Sequence, residues 1–332
     1  MKKLGNLYHF RDLNLKMYML DINTGRPGNR ADLIKYKKIL DHGVKVAESN
    51  ASTTLSKIYY HQAKILYYIA AGSHRKAIRH AKAIILRLGN NIQLRDSHFS
   101  IYTRAHINIT ILWLYEKQYT QALTYNKKLL TLLFSMQKNN NYVQNMIQYY
   151  SIELITLMLR RNFSDGSHLM NEVNKFIATH KKNISYDSLY YFHYYFAYIY
   201  YGLFDLKNAA KYLNTLLNDH DKKIHKDLYH IARLFNLILI YEKEDLELLA
   251  YETISTQRLF KKKKSLNEVE AMVFRFFNAY IKHPTNKIEL LNKLKKELIK
   301  ISGEHYANNI FRLFDFNAWV NTMLHHNQVS KN

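Results

Sequence analysis

A small residue returns at a nearly fixed interval along this chain: Ala77, Ala122, Gly166, Ala209 and Ala250, in steps of 45, 44, 43 and 41 residues. Each stands early in an amphipathic stretch that follows a short polar turn, and each turn follows another apolar-periodic stretch. The five segments are 57–88, 105–133, 145–177, 191–217 and 229–260. Three residues before the small one stands Tyr119, Phe163 or Leu206 in the middle three. This combination predicts a helical hairpin, in which the small residue lets two helix backbones approach and the bulky one fills the turn. Hairpins repeated at roughly 20–50 residues predict a solenoid, because each buries its apolar face only against its neighbours.

Composition agrees with an all-helical chain. Only two prolines and nine glycines occur among 332 residues, and both residue types break helices. The hydrophobic content of 48% and charged content of 23% are those of a folded protein with a sizeable core. There is no cysteine, so disulfides, thiolate nucleophiles and Cys-ligated metals are excluded. No run of about 18 apolar residues predicts a membrane span. Arg11, Asp12 and Lys16 interrupt the N-terminal stretch, which does not read as a signal peptide; the expected location is cytoplasmic.

The fourth segment resembles a tetratricopeptide repeat, with Ala197, Tyr200, Leu206 and Ala209 at the family's small, aromatic, aromatic and alanine places. In the second segment Trp113, Tyr119 and Ala122 match, and Thr110 replaces the small residue. The first and third carry Ile65 and Leu154 at that place, and the fifth carries Leu237 with Tyr241 at the aromatic one. The family repeats every ~34 residues, whereas this chain runs near 44, so its helices or links must be longer. Overall the chain resembles divergent bacterial tetratricopeptide-repeat-like (TPR-like) proteins. The resemblance implies one right-handed alpha-alpha superhelix of about 12–14 antiparallel helices, without a sheet. Residues 7–48 and 266–326 are expected to form degenerate end units around TPR-like hairpins at 53–260, in a single domain over 1–332.

The run LYYFHYYFAYIYY (189–201) holds the densest aromatic surface. On a helix, Tyr191, Tyr194, Tyr198 and Tyr201 share one face, and His193, Phe196, Ala197 and Tyr200 a neighbouring one. Aligned on the repeat, the second set faces the partner helix of its own hairpin and the first faces the inner, concave surface. The tyrosine face reads either as packing against the next repeat or, joined by Phe235, as a binding stripe; tyrosine offers rigid contact area with a polar tip. The other inner positions are mostly apolar, and such a surface is not left wet. Curvature, the C-terminal segment or a partner helix would have to cover it. The resemblance implies a concave groove for a protein or peptide partner, with self-association through that groove as a weaker idea.

The formal net charge is +23, which attracts acidic partners. Arg258, Lys261, Lys262, Lys263, Lys264 and Arg275 form a candidate basic patch, although lysines at a helix C-terminus also simply complement its dipole. Nucleic acid bound through its phosphates is therefore the alternative partner. Specific base stacking is disfavoured, because no Arg or Lys interleaves the aromatic run. The 17 histidines are scattered without metal-ligand spacing. The glycines form no phosphate-binding loop, and Glu242, Glu244 and Asp245 read as a solvated cap. The expectation is a non-catalytic scaffold with no metal and no cofactor.

Overall fold

The computed structural model describes residues 2–24, 30–43, 48–135, 141–218, 226–262, 268–301 and 313–329. These hold α-helices and short 3-10 turns, with no strand among the described residues. The helices are α1 (Lys2–Thr24), α2 (Arg30–Gly43), α3 (Thr54–Ala70), α4 (His74–Gly89), α5 (Ile92–Ser97), α6 (Phe99–Tyr115), α7 (Tyr119–Phe134) and α8 (Tyr142–Leu159). They continue as α9 (Phe163–His180), α10 (Tyr186–Gly202), α11 (Leu206–Leu217), α12 (Lys226–Glu242), α13 (Leu246–Lys262), α14 (Glu268–Lys282), α15 (Lys287–Ile301) and α16 (Phe316–Val329). The count among the described residues is thus sixteen rather than about 12–14. One addition is α5, where the Asn91 side chain accepts from the Leu94 N–H at 2.9 Å and starts a helix.

The chain divides into two compact units. One comprises Met1–Arg160 with Glu172–Ile184, the other Arg161–Asn171 with Ser185–Asn332. In the first, α1 packs on α3 through Phe10, Leu13 and Met17 against Tyr60 and Ala63. The second core of that unit joins Ile58, Ile65, Ala81, Ile84 and Leu88 to Ala105 and Ile109 of α6. In the second unit, α10 pairs with α11, and α12 to α15 follow as successive antiparallel neighbours.

Five turns share one backbone plan. Gly72, Lys117, Arg161, Phe204 and Glu244 all adopt the left-handed conformation, with φ between 57° and 66°. In three of them the next residue's N–H returns to a carbonyl five positions back: Ser73 to Tyr68, Gln118 to Trp113 and Asp205 to Tyr200, at 2.8–2.9 Å. This is the helix-ending arrangement that glycine usually serves, yet glycine occupies it once.

Counting from these turns gives the structural register of the small residues. Ala77, Ala122, Gly166 and Ala209 each donate their backbone N–H to the residue four back, Ser73, Gln118, Asn162 and Asp205. The three alanines are fully buried. A Cβ on Gly166 would come within 3.2 Å of Ile199, so glycine permits the close approach of α9 and α10 there. In the fifth hairpin the equivalent residue is Leu249, bonded to Asp245 and buried; Ala250 stands one place later and is half-buried.

Candidate functional site

The aromatic run lies in α10, started by Ser185, whose hydroxyl accepts from the Ser188 N–H at 3.3 Å. The helix sorts its rings by face. Tyr200 stacks on Tyr212 of α11 at 5.6 Å and 16°, and Phe196 meets the same ring edge-on. His193 lies 5.9 Å from Tyr212. This set therefore faces the partner helix of its own hairpin, as the repeat alignment expects.

The other face forms a box with α12. Tyr194, Tyr198 and Tyr201 place their rings 5.3–6.0 Å from Phe235. Tyr191, nearer the start of the helix, is half-buried with its ring 6.1 Å from Tyr195. Within the box sits Phe314, its ring 5.4 Å from Tyr198, 6.1 Å from Tyr201 and 5.1 Å from Phe235. The Tyr194 hydroxyl donates to the main-chain carbonyl of Leu313 at 2.9 Å. The C-terminal segment thus covers Tyr194, Tyr198 and Tyr201.

Its neighbours anchor that segment. Phe316 packs 4.8 Å from Phe314. The Asp315 carboxylate accepts from the Ala318 N–H at 2.9 Å and caps α16. Trp319, on the first turn of α16, reaches a second aromatic cluster with Tyr241 and Phe276. Its indole N–H donates to Glu242 Oε1 at 3.1 Å, and the Tyr201 hydroxyl donates to the same oxygen. Glu242 is therefore not the solvated cap that the sequence suggests: it is a half-buried acceptor joining α10 to the C-terminal segment. Asp245 does cap α13, accepting from Leu248 N–H at 3.0 Å, and Glu244 remains exposed.

Burial sets the electrostatics. It holds the Tyr194 hydroxyl well above the ordinary phenol range, and raises Tyr198 to about 12 with help from the Asp315 charge. Tyr201 is raised first by burial and then by Glu242. These hydroxyls are neutral donors across the accessible pH range, suited to carbonyl and carboxylate acceptors rather than to proton transfer.

The basic residues are arranged differently. Arg258 and Lys261 are exposed on α13. Arg275, on α14, donates to Glu297 of α15 at 2.7 Å. Lys262 ends α13, and Lys263 and Lys264 lie outside the described residues. Among the described residues no group of three or more His, Asp or Glu is placed to hold a metal ion, and no helix is long and apolar enough to cross a membrane.

Neither a family profile nor a curated protein matches the chain. A solved structure, the crystal structure of the apo form of RapI, superposes over 97% of this chain and 86% of its own, with a TM-score of 0.60 and 13% identity. The fold is TPR-like. The likeness extends over the end units as well as the five hairpins, whose helices between 54 and 301 are mostly of 15–18 residues and are joined by links of several residues.

Proposed function

We propose that this TPR-like chain is a non-catalytic scaffold that binds a protein or peptide through the aromatic box of α10 and α12. The observation that carries this reading is the way residues 313–316 engage the box. A main-chain carbonyl is held by a tyrosine hydroxyl, and a phenylalanine ring is enclosed by three aromatic side chains. Those contacts use features of any peptide that presents an aromatic residue beside a free carbonyl. An incoming peptide would replace the chain's own segment. The nucleic-acid alternative draws its support from the formal charge of +23, and within its proposed patch Arg275 is already engaged by Glu297.

The test uses the full chain carrying Phe314→Ala and Phe316→Ala, with a labelled synthetic peptide LFDFNAWV, the sequence of residues 313–320. The variant is expected to bind the peptide with a Kd of order micromolar, and the unaltered chain at least about tenfold more weakly. A folded variant that ignores the peptide sinks the reading.

A further inference from the structure

We infer that the outer face of α1 is a self-association surface on which a second copy of this chain packs antiparallel. Helix α1 is apolar on two sides. One side, Phe10, Leu13 and Met17, is buried in the core of its unit. On the other, Leu4, Tyr8, Leu15, Tyr18, Met19 and Ile22 are each 46–57% exposed. Positions 4, 8, 11, 15, 18 and 22 alternate steps of four and three, the a/d spacing of a helix that pairs with another helix. A single exposed leucine is ordinary, but a stripe about 27 Å long is not.

The order of residues identifies the occupant. In antiparallel pairing an a position faces a d position, so Leu4 meets Ile22 of the second copy and Tyr8 meets its Tyr18. Aliphatic is matched with aliphatic, and aromatic with aromatic. Arg11 falls opposite Leu15, and its guanidinium comes within a turn of the second copy's Asp12. Parallel pairing would instead set Arg11 beside Arg11 in the middle of the seam. Burying the six apolar side chains in both copies removes on the order of 1,000 Å², about the threshold for a specific interface. The seam is self-complementary in the order of its aliphatic and aromatic residues, and none of its residues belongs to the α10–α12 box.

Sedimentation velocity of the full chain at about 0.15 M salt is expected to give a dimer at tens of micromolar. Leu15→Glu with Tyr18→Glu is expected to give a monomer with unchanged helicity. Because the chain has no cysteine, orientation is read directly: a mixture of Tyr8→Cys and Tyr18→Cys chains cross-links on oxidation, while neither variant does so alone. A monomer at about 100 µM, a dimer indifferent to the glutamates, or cross-linking within each single variant would overturn the inference.

Discussion

Tyr194 and Leu313 are joined by a 2.9 Å hydrogen bond across 119 residues of sequence, from a hydroxyl on a wholly buried side chain to a main-chain carbonyl. Tyr194→Phe keeps the ring and leaves the carbonyl without this donor. The expected loss of stability is about 1–2 kcal/mol in urea unfolding followed by circular dichroism. Tyr194→Ala also removes a buried ring and is expected to cost about 3–5 kcal/mol. A silent Tyr194→Phe would mean that water replaces the bond freely and that the segment is only loosely held.

Gly202 and Phe163 touch more closely than any side chain at 202 would allow, since a Cβ there would overlap the phenyl ring. Phe163 was legible as the bulky residue of its turn, but Gly202 was not legible as its counterpart. Gly202→Ala is expected to destabilise by about 1–3 kcal/mol through overpacking. In the Phe163→Ala background the same change should be nearly free, so a double-mutant cycle is the measurement.

The left-handed turn residues predict opposite signs for opposite exchanges. Gly72→Ala places a Cβ at φ 66° and is expected to cost about 1 kcal/mol. Lys117→Gly and Glu244→Gly relieve that strain while loosening the unfolded chain, for a net gain of up to about 0.5 kcal/mol. Paired thermal melts distinguish the two directions.

Acid is expected to weaken the first unit through His61 and His106. Burial pushes each imidazole down to about 4, reinforced at His61 by Arg87 and Lys57 and at His106 by Lys128. The unfolded chain takes up these protons near pH 6.5 and the folded chain only near 4. Stability therefore holds above about pH 6.5 and falls as pH drops toward 4, by roughly 3 kcal/mol per histidine. Urea midpoints between pH 7 and 4 measure the slope, and His106→Gln should flatten it.

The hairpins were legible because each helix carries its own apolar period and almost no residue interrupts it. Helix α5 was not, since six residues are too few to display a period. Which residues of α10 share a face followed from spacing, and which face meets the partner helix followed from the repeat alignment; Tyr212 as the ring met by His193, Phe196 and Tyr200 did not. What covers the tyrosine face did not follow: Phe314 reaches it from more than a hundred residues away, and no local pattern encodes that return. The roles of Glu242 and Leu249 were obscured for a related reason. Composition assigned one to solvent, and an alanine beside the other offered a false register.

The five left-handed turns have a consequence for how this protein can be compared with others. Their closure is written in the main chain, where Gly, Lys, Arg, Phe and Glu serve interchangeably. Residue identity at these five positions therefore says little about whether such a turn is kept, whereas the backbone angle says it directly.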